Sequence, residues 1–251
     1  LLLSSLGNYG SSTQTFALLP GSIAIDHGSS ADCPAADQRD QPRYGACDVG
    51  AYEAQGFVLE PLSGATPQTV FIGAALSALA MAVNPVNSGD PVDGGKVTFT
   101  APPPSSGATV RTIMDYAISE EYHQVTQTIS GGVSSVPAQA NMTLGAYDVV
   151  ASTIGAADTA FSITQTCIPG PKLVTNANDS GPGSLRYAID SSCVDEEMVI
   201  TFDNDYTIYL ASPLKLNREY TIDGAGHKVT ISGNHVTRIF NIYYVDTLLQ
   251  N

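Results

Sequence analysis

Four cysteines, Cys33, Cys47, Cys167 and Cys193, carry the most versatile side chains in this chain, and their spacing narrows what they can do. No C-x-x-C, no C-x-x-C-H and no His/Cys cluster occurs, so the zinc and c-type haem patterns are missing. An even count fits two local disulfides, Cys33 with Cys47 and Cys167 with Cys193. Four cysteines allow three pairings, and proximity in sequence is the only guide here. Each bridge would stabilise by roughly 3 kcal/mol in the chain-entropy model. Disulfides imply an oxidising compartment, so the protein is expected to be secreted or held at a cell surface.

Carboxylates come next. Asp203 and Asp205 flank one predicted corner, and Asp223 follows in "TIDGAGHKVTISG" with His227 and Lys228 close behind. Glycoside hydrolysis needs two carboxyl groups facing each other across a sugar, and a lyase would want clustered aspartates for calcium with a basic residue nearby. An aspartate before glycine has a simpler use, because both residues suit the backbone of a tight corner. Calcium could also meet Asp90 and Asp93 in "SGDPVDGG", or "DND" at Asp203 to Asp205, but two carboxylates fall short of the six to eight oxygens it takes.

The four histidines, His27, His123, His227 and His235, have no mutual spacing that suggests a metal site or a triad. No G-x-S-x-G elbow and no phosphate-cradling loop before a long helix appears. "GPGS" at Gly181 to Ser184 reads as a turn and a helix N-cap. Asn141 and Asn178 open N-x-[ST] sequons, which a Thr- and Ser-rich chain contains by chance. These residues predict no catalytic group, no cofactor and no metal, hence a non-enzymatic protein.

The elements that must position these groups are strands. Of 251 residues, 43% are hydrophobic and 14% charged, with 23 Gly and 15 Pro, which is the texture of an all-β protein rich in turns. A net charge of -14 with ten scattered basic residues excludes a nucleic-acid partner. "FIGAALSALAMAV" is too short for a helix that spans a bilayer, so no transmembrane segment is expected. The chain begins mid-pattern without methionine, as expected of a processed chain or of the ordered part of a longer one.

Texture divides the chain into three. Residues 1-55 hold short strandlike pieces ("TQTFALL", "SIAID", "VGAYE") around a polar loop, too little apolar material to fold alone. Residues 56-166 carry seven strand candidates with turn signals between them, which suits an immunoglobulin-like β-sandwich with a core of Val, Ile, Leu, Phe and Ala. In "GAYDVVAST", Tyr147, Val149 and Ala151 share one face. Residues 167-251 start with a short helix, "SLRYAIDSS", capped by Ser184, and continue as short β runs with corners at "DGAG" and "SGN", the pattern of solenoid coils.

"LVTNANDSGPGSLRYAI", "ITFD", "YTIYLASPLKLNREYTIDGAGHKVTISGN" and "RIFNI" together resemble the N-terminal region of bacterial CSLREA-type, choice-of-anchor right-handed parallel β-helix proteins, which are akin to polymorphic outer-membrane proteins and large surface adhesins. "YGSSTQTFALLPGSIAID" and "CPAADQRDQPRYGACDVGAYE" resemble the closing region of the same family. The middle resembles the bacterial Ig-like repeats that separate modules in such proteins. The resemblance therefore implies a 1-55 closing segment, a 56-166 sandwich, and a 167-251 capping helix with first rungs: an Ig-like sandwich flanked by incomplete β-helix segments.

The order is inverted relative to the family, with an end before a start and the body of rungs missing. Either the chain is a window on a longer tandem protein, or the start of one copy docks on the end of the next. A head-to-tail contact that does not close generates a filament. The expected function is thus an extracellular structural protein that assembles with neighbouring copies of itself into a filament or stalk. The alternatives are a fragment of an adhesin that binds a cell-surface glycan or protein, and a carbohydrate-active β-helix enzyme.

Overall fold

The computed structural model describes residues 1–102, 110–112, 124–140, 144–193, 198–243 and 247–250. His123, Asn141 and much of the strand expected around "ATVRTIMD" lie outside them. The described chain is all-β with one short helix. It separates into two compact units, Leu1–Val70 with Ala75–Thr164, and Phe71–Ala74 with Gln165–Asn251.

The first unit opens with β1 (Leu3–Gly7) and β2 (Thr15–Leu18), an antiparallel pair in which Leu3 faces Leu18 and Leu6 faces Phe16. It continues with β3 (Phe57–Pro61), β4 (Gln68–Phe71), β5 (Leu79–Pro85), β6 (Lys96–Thr100), β7 (Val110–Thr112), β8 (Gln124–Thr128), β9 (Val133–Val136), β10 (Ala138–Ala140), β11 (Gly145–Ser152) and β12 (Thr159–Thr166). Sheet orders are β3-β5-β9 and β4-β12-β11-β6-β8, with β7 and β10 as a separate antiparallel pair.

Period-2 alternation explains which face is buried. Leu79, Met81 and Val83 of β5, Val97 and Phe99 of β6, Val149 and Ala151 of β11, and Phe161 and Ile163 of β12 all point into one core. Phe99 and Phe161 meet there with ring centroids 6.0 Å apart. Tyr147 packs half-buried on the same cluster. The β8 to β9 connection needs two residues at positive φ, and Gly131 (60°) and Gly132 (72°) supply the conformation that a two-residue hairpin prefers.

Ala17, Leu18, Ala24, Ile25, Tyr52 and Ala54 join that core, so the first 55 residues contribute to it directly. Backbone bonds fasten them: Lys96 N–H donates to the Pro20 carbonyl at 2.9 Å and Gly21 N–H to that of Ile154 at 3.0 Å. "SIAID" and "VGAYE" alternate like strands, yet they are turns and irregular chain. Ile25 N–H closes a turn onto Ser22, and Asp26 adopts a φ of 58°, which no strand accommodates.

The second unit is built from β13 (Lys172–Val174), α1 (Leu185–Asp190), β14 (Met198–Phe202), β15 (Tyr206–Tyr209), β16 (Leu214–Leu216), β17 (Tyr220–Asp223), β18 (Val229–Ser232), β19 (Phe240–Ile242) and β20 (Thr247–Gln250). Three parallel sheets form, β13-β14-β17-β20, β15-β18 and β16-β19. Met198 pairs with Tyr220 and Tyr220 with Thr247; Tyr206 pairs with Val229 and Leu214 with Phe240. The chain therefore stacks on itself in register along all three. Ile200, Ile208, Leu214, Leu216 and Ile222 line the interior with Leu185, Ala188 and Ile189 of α1.

Ser184 caps α1 as expected, its hydroxyl accepting from Tyr187 N–H at 3.1 Å. The cap is fully buried, so water cannot replace it. Ser184→Ala is expected to cost about 1 kcal/mol, read as a lower urea midpoint. Arg186 then ties the helix to the coils, donating to the carbonyls of Ser212 and Pro213 and pairing with Asp179 at 2.7 Å. Cys167 is bonded to Cys193, which closes the chain around the helix, and Cys33 is bonded to Cys47.

Candidate functional site

Among the described residues, ionisable groups gather at the corners of the parallel coils and in a buried network in the first unit. At the corners, Asp205 accepts from Lys228 N–H at 2.9 Å, and its carboxylate lies 3.5 Å from His227 Nδ1. Asp203 accepts from the Tyr206 hydroxyl at 2.6 Å. Asp223 accepts from Ala225 N–H at 2.8 Å and from the Gln250 side chain at 3.2 Å. The structure thus brings Asp205, His227 and Lys228 to one corner and assigns Asp223 to its own turn, where Ala225 sits at a φ of 53°. A carboxylate that accepts from the backbone two residues on is the chemistry of an Asx turn.

Sequence reasoning missed the second place. Arg39, five per cent exposed, lies between two carboxylates that are themselves buried. Its Nε donates to Asp37 and one terminal nitrogen to Asp90, both at 2.9 Å, while the other donates to the Glu53 carbonyl at 2.6 Å. The guanidinium stacks 3.6 Å over the Tyr52 ring, and the Tyr52 hydroxyl donates to Asp90 at 2.5 Å. Asn87 and Gln55 N–H complete the shell of Asp90.

The network continues outward. Arg43 pairs with Glu53 at 2.7 Å, and Glu53 also accepts from the backbone of Tyr44 and Asp48. Asp48 accepts from Asp26 N–H at 2.8 Å and Ala54 N–H at 2.6 Å. Beside it lies a cleft of about 280 Å³ lined by His27, Asp32, Arg43, Asp48 and the Cys33–Cys47 bridge. His27 Nδ1 lies 2.6 Å from the Ile25 carbonyl.

The two buried aspartates titrate in opposite directions. Burial pulls Asp37 upward, but hydrogen bonds from Glu53 N–H, Arg39 and Gln41 N–H outweigh it and leave its pKa below 3.8. Asp48 is pushed up to about 6 by burial, against the bonds from Asp26 and Ala54, with the charges of Glu53 and Asp26 adding to the rise. A carboxyl whose native pKa is raised holds its proton better in the folded state. Stability from Asp48 is therefore greatest below about pH 4 and falls as pH rises toward 6. The expected loss across that window is on the order of 3 kcal/mol. Urea midpoints measured from pH 4 to 7 should show it, and Asp48→Asn should flatten the slope there.

The calcium expectation at "SGDPVDGG" meets a different geometry. The Asp90 carboxylate is taken by Arg39 and Tyr52, and Asp93 accepts from Gly132 N–H at 2.7 Å. Among the described residues, no group of three or more His, Cys, Asp or Glu is placed to hold a metal ion. His235 sits in a left-handed turn at a φ of 59°, and Asn178 is exposed. No helix among the described residues is long and apolar enough to cross a membrane.

A stretch of 77 residues, 29% of the chain, is 39% identical to a protein of Arabidopsis thaliana described as probable pectate lyase 4. The match spans 20% of that relative's length. No family model matches the chain, and no solved structure matches it.

Proposed function

We propose that this is an extracellular, non-enzymatic structural protein in which an immunoglobulin-like sandwich, sharing its core with the opening segment, is followed by an incomplete right-handed parallel β-helix piece, and that copies associate head to tail into a filament or surface stalk. The observation that carries the reading is the in-register parallel stacking of three sheets. A parallel ladder lengthens by accepting another strand at its edge. The use of Asp205 and Asp223 to hold corner backbone supports a structural role for them. Two disulfides fit an oxidising surface location.

Sedimentation velocity and negative-stain microscopy of the native protein test the assembly. Concentration-dependent filaments are expected. Monomers at every concentration would overturn the proposal.

A second reading, a carbohydrate-active β-helix enzyme, draws on the partial likeness to a protein described as a probable pectate lyase. Depolymerisation of polygalacturonate by the native protein, abolished by Asp223→Ala, would put this reading in place of the first.

A further inference from the structure

We propose that the outward face of β15 and β18 is a binding strip for a neutral polysaccharide chain. Alternation along β15 sends Ile208 inward and leaves Thr207 and Tyr209 exposed. In the parallel register Thr207 stands beside Thr230, and Tyr209 beside Ser232. Rungs are about 4.8 Å apart and alternate residues of a strand about 6.7 Å apart. The four side chains thus form a flat patch, one aromatic ring flanked by three hydroxyls.

Tyr209 differs from the other tyrosines of these strands. Tyr206 gives its hydroxyl to Asp203 and Tyr220 gives its own to the Ile189 carbonyl. Tyr209 is 57% exposed, and no hydrogen bond within the described residues engages its hydroxyl or those of Thr207 and Thr230. An exposed ring with a polar tip suits a ligand that is apolar on its face and polar on its rim. A pyranose has that character, with C–H groups on the ring face and hydroxyls at the edge. The Thr207 and Thr230 hydroxyls both donate and accept, so they match sugar hydroxyls in either orientation, while Ser232 Oγ accepts from Asn234 N–H at 3.1 Å and keeps its own proton to donate.

Charge selects among polysaccharides. Asp203 and Asp205 lie at the corner that leads into the strip, with the Asp205 side chain 66% exposed, and the whole chain carries -14. Lys228 and His227 share that corner, so a polyanion is opposed by the two aspartates and the net charge of the chain, which a neutral polymer does not meet.

Affinity electrophoresis of the native protein in gels containing galactomannan, hydroxyethyl cellulose or polygalacturonate tests this. Retardation is expected in at least one neutral polymer and not in polygalacturonate. Tyr209→Ala should weaken it about tenfold, the effect of losing a stacking anchor, and Thr230→Ala should weaken it less. Tyr209→Phe should retain most of it. Both sites are exposed, so unfolding midpoints should not move, which separates lost binding from lost fold. No retardation in either neutral polymer, retardation untouched by Tyr209→Ala, or stronger retardation in polygalacturonate would overturn the proposal.

Discussion

Replacing Arg39 by methionine should destabilise the protein by about 3–5 kcal/mol, the cost of removing one partner from a buried ionic network. Methionine keeps much of the apolar stem but leaves Asp37 and Asp90 with side chains fully shielded from water and no countercharge. It also frees the Glu53 carbonyl and uncovers the Tyr52 ring. Lysine should not rescue the loss, because one ammonium cannot reproduce a planar fork that reaches Asp37, Asp90 and Glu53 while stacking on a ring. Acidification supplies the check. Asp37 is held below the ordinary carboxylate range in part by its bonds from Arg39, so without Arg39 that lowering is lost, and the deficit should be complete near neutral pH and shrink as pH falls toward 4. Urea midpoints of both proteins at pH 7 and pH 4.5 read this, and an equal deficit at both would show that lost packing, not charge, is responsible.

The second large effect lies in the parallel coils. Ile200 is fully buried, paired with Lys172 on one side and Ile222 on the other. Ile200→Ala removes packing from a ladder that neighbouring strands hold rigidly, so a cavity should remain, at about 2–5 kcal/mol. Thr201→Ala, one residue on and facing outward, removes only a long bond of 3.4 Å to the Lys172 carbonyl. It should stay within about 0.5 kcal/mol. Equal midpoints for the two variants would mean that the alternation does not set the interior.

Several features were legible in the residues themselves. The strands of the sheets and the inward face of "GAYDVVAST" follow from alternation, since each strand buries one face. Helix α1 was legible because Leu185, Ala188 and Ile189 share a stripe behind a serine that caps. "SIAID" deceived because alternation alone does not report φ, and Asp26 turns left-handed where a strand would need extended chain. The Arg39 network left little trace. "DQRD" reads as a solvated run, and Asp90 lies 51 residues from Arg39. What could have hinted at it is the density of charge in a chain otherwise poor in it, with Tyr52 and Glu53 following the second cysteine closely.

By itself, then, the sequence determined an all-β chain, the site and cap of its short helix, and the turn residues at its corners, because these depend on neighbours within a few positions. Only the tertiary structure decided which carboxylates are shielded and paired and which lie at corners. It also decided that the opening segment shares a core with the strands that follow, and that Tyr209 stands free beside Ser232. Burial and register depend on chain brought from tens of residues away, and local pattern cannot specify what will be found there.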